Sequence, residues 1–303
     1  MKILKPVLLT GAVIILVLVS IVVYFATDIF ARNPEMTEFK NIPVVQKSIN
    51  SDMEIQFIRH ATVLIIVENK KILVDPMLGE IGTESPYPMT ANRIKNPLIS
   101  MPVKNENLIK DLDAVLLTHY HPDHFDKTAE NILPKDLLIY CQPGDDILLK
   151  EKGFVNVQVI DIKSDLGEIS IMRYEVNHAE GIWEGPMGKS SAYFLKTEND
   201  SLLISGDTIY DKNFENVLNE TQPNLVIANA GAAQFIIGTP ITLTADALKN
   251  ITKILPNSKI FAVHMDAINH CVLLKDDLRK FVAEEGLTKS IFVPNEGGML
   301  SIK

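Results

Sequence analysis

"THYHPDHFD", Thr118 to Asp126, places three histidines and two aspartates in nine residues of a chain that has seven histidines in 303. It overlaps the end of "DAVLLT" (Asp113–Thr118), a short apolar run that reads as a buried strand, so the stretch occupies the loop leaving that strand. His119 and His121 are two apart. In loop or extended backbone alternate side chains share a side, so both imidazoles can face one metal ion. Asp123 and His124 follow as the chain turns toward a helix, and they aim at a neighbouring point. Neutral imidazole and carboxylate are good zinc ligands, at about 2.0–2.2 Å. One loop thus supplies ligands to two adjacent metals. The bland alternative, a polar surface loop with incidental histidines, fits poorly with so dense a run of ligand types.

Further ligands lie at matching places along the chain. His178 ends "ISIMRYEVNH", Asp207 ends "SLLISGD" and His264 ends "KIFAVH". Each is a lone polar residue after an apolar strand, which puts all three on one rim of the sheets. Any one of them alone is more often a satisfied polar residue at a strand end; the shared placement favours a common site. Asp75 ends "KILVDP" on the same rim, where it either orients a ligand histidine from behind or is a turn residue before Pro76.

The rest of the chain frames this site. It is 47% hydrophobic and 22% charged, ample for one large core. The net charge of −9 and the lack of a Lys/Arg cluster exclude nucleic acid as a first reading. Cys141 and Cys271 are far apart and form no C-x-x-C, so they read as two buried free thiols. "IQFIRHATVLIIVENKKILVDP" reads as strands turning at Glu68-Asn69-Lys70-Lys71. "DDILLKEKG", "TADALKNITKILP" and "LLKDDLRKFVAEEG" have helical spacing. Strands mixed with helices predict sheets sandwiched between helices.

The N-terminus is a separate matter. "PVLLTGAVIILVLVSIVVYFA" (Pro6–Ala26) has no charged residue. About 20 such residues cross the hydrocarbon core of a bilayer as a helix. Lys2 and Lys5 precede it and Asp28, Arg32, Glu35 and Glu38 follow, which predicts a single-pass membrane protein with the rest of the chain on the extracytoplasmic side. A cleaved signal peptide is the rival, but its apolar region is only about 7–15 residues long. The expected organisation is a membrane anchor over 1–26, a linker over 27–50 and a folded domain over 51–303.

H-x-H-x-D-H, a later His, an Asp in a G-D-T setting and a final His resemble the metallo-β-lactamase superfamily pattern. The likeness runs from about Met53 to the end. It implies an α/β fold, the αββα sandwich, with a dinuclear zinc site on one edge. Carried over, His119, His121 and His178 hold the first metal, Asp123, His124 and His264 the second, and Asp207 bridges them. Within the superfamily, "RHATVLI", "ILVDP" and the "NRIKNPL" insert are similar to the L-ascorbate-6-phosphate lactonases and to the phospholipases D that hydrolyse N-acyl-phosphatidylethanolamine. The chain departs from the pattern at Arg59-His60, where Gly-His is common, so no role is carried over for His60.

The expected activity is a membrane-anchored, metal-dependent hydrolase that uses a dinuclear zinc-bound hydroxide on a phosphodiester, N-acyl lipid or lactone. Two zinc ions clamp the hydroxide, and Asp123 or a bound water supplies the leaving group's proton. Iron or manganese suits the same ligand types. The residual positive charge of such a centre is expected to attract phosphate or carboxylate groups. A β-lactam hydrolase and a non-catalytic metal-binding membrane module are the alternatives. Around the site, Trp183 and His270 are candidate pocket walls, and Arg93, in the Pro-rich insertion, is a candidate anion contact.

Overall fold

The computed structural model describes residues 13–15, 17, 42–45, 53–90 and 92–302. The first sheet contains β1 (Met53–Arg59), β2 (Thr62–Val67), β3 (Lys70–Val74), β4 (Ala114–Leu116), β5 (Leu138–Cys141) and β6 (Val157–Val159). The second contains β7 (Lys163–Leu166), β8 (Ile169–Asn177), β9 (Lys189–Lys196), β10 (Ser201–Ile204), β11 (Leu225–Asn229), β12 (Lys259–Val263) and β13 (Ile291–Phe292). The last strand, β14 (Met299–Ile302), returns to the first sheet beside β1. The orders are β14-β1-β2-β3-β4-β5-β6 and β13-β12-β11-β10-β9-β8-β7.

Period-2 alternation explains why the two sheets stack. Met53, Ile55 and Phe57 of β1, Val63, Ile65 and Val67 of β2, and Leu225 and Ile227 of β11 enter the core between the sheets. The alternate residues face outward but are also covered. Leu64, Ile66, Leu73 and Val115 pack beneath the helices of the first half, and Val226, Ala228, Leu203 and Ile260 beneath those of the second. Strands buried on both faces must be apolar throughout, hence "TVLIIV" and "LVIAN". The first layer of helices is α1 (Asn105–Ile109), α2 (Lys127–Ile132) and α3 (Asp145–Glu151); after the short α4 (Glu184–Met187), the second is α5 (Lys212–Thr221), α6 (Ala245–Ile254) and α7 (Lys275–Glu284). The αββα layering expected from the sequence is therefore present. The β2–β3 turn is tight, with Glu68 and Asn69 both at positive φ (48° and 54°), the two-residue hairpin geometry that matches strand twist.

The expected transmembrane helix needs correcting, and the fold class loses that element. Among the described residues no helix is long and apolar enough to cross a membrane. Of Pro6–Ala26 only 13–15 and 17 are described, and they are helical; the rest of that stretch lies outside the described residues. The single-pass topology and extracytoplasmic placement, which rested on that span alone, fall with it. Residues 42–45 of the expected linker run against the first sheet: Ile42 N donates to Pro102 O (2.7 Å) and Val45 N to Gln56 Oε1 (3.0 Å).

Arg59, at the end of β1, accounts for the departure from the Gly-His pattern. Its guanidinium is fully buried and donates to Ile99 O (2.9 Å), Met77 O (2.7 Å) and Gly79 O (2.9 Å). It thereby pins both ends of the Pro-rich insertion to the sheet. Burial lowers its pKa to about 10, against the pull of Asp126, Glu80 and Glu296. Arg59→Leu orphans three carbonyls at once. The expected cost is on the order of 3 kcal/mol, a fall in Tm of roughly 6–12 °C for a domain of this size. Thermal denaturation at fixed metal concentration checks it; an unchanged Tm would show that the insertion needs no pin.

Candidate metal centre

Strand directions bring the ligand types to one rim. In the first sheet β1 and β3 are each antiparallel to β2, and β4 is parallel to β3, so β1, β3 and β4 end on the same side. In the second, β8 and β10 flank antiparallel β9, and β10, β11 and β12 are parallel. The residues just beyond those ends are His60, Asp75 and the 118–126 loop from one sheet, and His178, Asp207 and His264 from the other. Backbone strain gathers there: His60, Asp75 and His264 all have positive φ (58°, 43° and 65°), a region that side chains other than glycine seldom adopt. Gly206 shows why "SGD" needs its glycine: its φ is +57°, and a Cβ there would meet the Ser191 carbonyl.

The side chains converge in two groups. Ligand atoms of His119, His121 and His178 lie within 4.8 Å of one another, as do those of His60, Asp123, His124 and His264. His119, His124 and Asp207 form a third overlapping set. Asp207 stands between the groups: its Oδ1 is 3.2 Å from His264 Nε2, and its Oδ2 is 3.4 Å from His124 Nε2 and 3.6 Å from His178 Nε2. Asp123 Oδ2 is 3.0 Å from His60 Nε2, 3.6 Å from His264 Nε2 and 3.7 Å from His124 Nε2. All of these are buried except His121, which is half-buried. The structure thus brings together all seven residues expected from the sequence, and adds His60 beside Asp123.

The surrounding hydrogen bonds aim the histidines. His124 Nδ1 donates to Asp75 Oδ2 (2.7 Å), and Asp75 also accepts from Thr118 N (2.8 Å) and Thr118 Oγ1 (2.7 Å). With the Thr118 hydroxyl hydrogen committed to Asp75, His119 Nδ1 donates to Thr118 Oγ1 (3.1 Å). His178 Nδ1 donates to the Ile241 carbonyl (3.1 Å). In each case the Nδ1 hydrogen is used and the Nε2 lone pair faces the cluster. Asp75 is therefore no simple turn residue: one carboxylate orients histidines of both groups. Cys271 Sγ lies 3.7 Å from His264 Nδ1 on the same principle.

Electrostatics show what the cluster lacks. Burial opposes ionisation of Asp207, yet His264 and His124 outweigh it and hold the carboxyl well below the usual range; Asp123 is held low in the same way by His124, His264 and His60. Burial likewise opposes protonation of His124, but Asp207, Asp123 and Asp75 raise it to about 10, and His264 is raised well above its ordinary value chiefly by Asp207. Burial and neighbouring histidines push His60 down to about 3, His121 to about 4 and His119 well down. The buried carboxylates call for positive charge that the imidazoles supply only by protonating. The Nε2 atoms of His124 and His264 are also buried without hydrogen-bond partners. Orphaned lone pairs beside carboxylates that need cations fit divalent metal ions.

Several residues at the site were not singled out from the sequence. Asn229 Nδ2 donates to Asp207 Oδ1 (2.7 Å); it ends β11, so the strand-end signal that found His178 applies to it too. Thr118 stands at the start of the decisive stretch. Tyr87 Oη donates to Asp123 Oδ1 (2.9 Å) from inside the Pro-rich insertion, where no local pattern marks it. That insertion is tied down: Asn269 Nδ2 donates to Thr90 Oγ1 (2.6 Å) and Asn92 O (3.0 Å), and Asn269 Oδ1 accepts from Tyr87 N (3.1 Å) and Asn96 Nδ2 (3.0 Å). Beside the cluster lies a cavity of about 190 Å³, lined by Tyr87, His121, Pro122, Asp123, His178, Met187, Asp207, Phe235, Ile241 and His270. Trp183 backs it, stacked on Phe235 with ring centroids 4.1 Å apart. Arg93 is exposed and lies outside the lining.

Comparison with known proteins agrees with this geometry. Residues 54–264 match the family described as the beta-lactamase superfamily domain. The chain is 33% identical over 249 residues to the UPF0173 protein YddR of Bacillus subtilis, covering 81% of this chain and 98% of that one. It is 23% identical over 238 residues to a UPF0173 metal-dependent hydrolase of Koribacter versatilis, covering 76% and 91%. Among solved structures, an isothiocyanate hydrolase from Delia radicum gut bacteria superposes with a TM-score of 0.79 at 31% identity, covering 82% of this chain and 99% of that one.

Proposed function

The chain belongs to the beta-lactamase superfamily and is a metal-dependent hydrolase, and from that premise we propose that it works with two zinc ions on a small ester-like substrate. In this reading His119, His121 and His178 hold one ion, Asp123, His124 and His264 the other, and Asp207 touches both, with residues 51–303 as the hydrolase domain. The observation that carries it is the placement of Asp207, one oxygen toward His264 and the other toward His124 and His178. Iron or manganese remains compatible with the same donor set. Bound zinc makes a water nucleophile available near neutral pH and polarises the bond under attack.

The chain's own residues do the rest. Asp75 and Thr118 keep His119 and His124 in the tautomer that offers Nε2. Asn229 holds Asp207 between the two groups. The leaving group's proton would come from Asp123, whose Oδ1 accepts from Tyr87 Oη on the cavity wall, or from a bound water. Met187, Phe235 and Ile241 give the cavity an apolar lining that limits water. Lactones, N-acyl lipids and phosphodiesters are the bond types expected from the sequence. The isothiocyanate-hydrolase neighbour brings that compound class within the proposal, since water attack on a carbon electrophile serves it equally.

Metal analysis tests the reading. Protein purified after zinc, iron or manganese supplementation is expected to hold about two ions per chain, and chelation is expected to abolish hydrolysis across a panel of these substrates. Fewer than one tightly bound ion per chain under all three supplements would refute the paired site.

A further inference from the structure

We propose that this site selects uncharged substrates carrying a benzene-sized apolar arm, and rejects anionic ones; the inference rests on the metal-centred reading of the same site. The lining contains no lysine or arginine among the described residues. Sites built for phosphate or carboxylate groups rely on such side chains, with arginine the geometric match. The wall is largely apolar instead: Met187, Phe235 and Ile241 line it with Tyr87 and His270, and the His270 ring lies 4.8 Å from that of Tyr87 and stacks on Phe235 at 6.0 Å.

A metal pair could attract anions without help from side chains, so the charge near it decides the matter. Two divalent ions bring four positive charges. Asp123 and Asp207 offset two, and Asp75, buried, hydrogen-bonded to His124 and linked to His119 through Thr118, offsets a third. A deprotonated water, if bound there, would cancel the fourth. A centre with no net charge, behind a wall with no cation, gives an anion nothing to offset its desolvation, whereas a neutral electrophile has little desolvation to lose. Size narrows the class. A cavity of about 150 Å³ admits a benzene ring; this one, at about 190 Å³, takes a ring or short branched chain plus the reacting group. His270 supplies a polar point in the wall: its Nδ1 is buried with no hydrogen-bond partner among the described residues.

The sole tryptophan allows binding to be read without turnover, because Trp183 stacks on Phe235 at the cavity wall. Zinc-loaded protein would be titrated with N-benzylacetamide and with phenylacetate, a neutral and an anionic probe sharing one ring, following Trp183 emission. The neutral probe is expected to bind at least about tenfold more tightly, a gap of about 1.4 kcal/mol. Turnover would be compared between dihydrocoumarin, a neutral aryl lactone, and the anionic bis(4-nitrophenyl) phosphate and benzylpenicillin. Met187→Arg, at a half-buried wall position, is expected to shift both preferences toward the anions. Equal or tighter binding of phenylacetate, or faster turnover of the anionic substrates by the unaltered enzyme, would overturn the proposal. Neutral-selective binding without turnover of any class would uphold it and instead count against the hydrolytic mechanism above.

Discussion

Asp207→Ala should lower turnover by at least about 10²–10³-fold, the loss that follows removal of one well-placed electrostatic stabiliser. The carboxylate faces histidines of both groups, within 3.2–3.6 Å of His264, His124 and His178. Its removal leaves Asn229 Nδ2 without its acceptor and takes away a carboxylate that faces both groups. Metal content should therefore fall along with rate, while circular dichroism stays native. The check is kcat and metal content on one preparation, using any substrate the panel supplies. Near-normal turnover with two ions retained would show that the bridging role is misassigned.

Asp75→Asn should be nearly as severe, although Asp75 is not placed as a ligand. Its carboxylate accepts from His124 Nδ1, Thr118 Oγ1 and Thr118 N. An amide there has an NH₂ where a second acceptor is required. His124 Nδ1 and the Thr118 hydroxyl share Oδ2 while Thr118 N uses Oδ1, so the NH₂ confronts either the first two donors or the Thr118 backbone N–H, and the bonds that aim His119 and His124 are disturbed. Partners of this kind typically account for about 10–100-fold in metal affinity. Competition with a chelator of known affinity measures it. A readout confined to kcat, with metal affinity unchanged, would contradict the orienting role.

The sequence revealed the site better than its surroundings. His119, His121, Asp123 and His124 were legible because ligand types packed so closely in one loop have little use besides binding metal. His178, Asp207 and His264 were legible because each follows an apolar strand, and parallel strands end on one side. The same rule reaches Asn229. Tyr87 was not legible: what puts it on Asp123 is a set of long-range bonds from Asn269, together with the buried Arg59, and no local period encodes these. Helix α5 escaped because "KNFENVLNET" is polar on most of its surface; its signal was Asp211, whose side chain caps Phe214 N (2.9 Å). The N-terminal span was read from composition alone, and the described residues contain no such helix.

The chain divides almost cleanly in two, with β1–β6 forming one sheet and β7–β13 the other. The candidate ligands His119–His124 belong to the first half; His178, Asp207 and His264 belong to the second. Ions held between them would act as cross-links joining segments on the order of 100 residues apart, where closing so long a loop is worth about 4–5 kcal/mol in the chain-entropy account. Folding and metal loading then form one equilibrium, whose position moves with the free metal concentration. In a cell, scarcity of the metal would first appear as fewer molecules: the empty form opens more often, and proteases remove what opens.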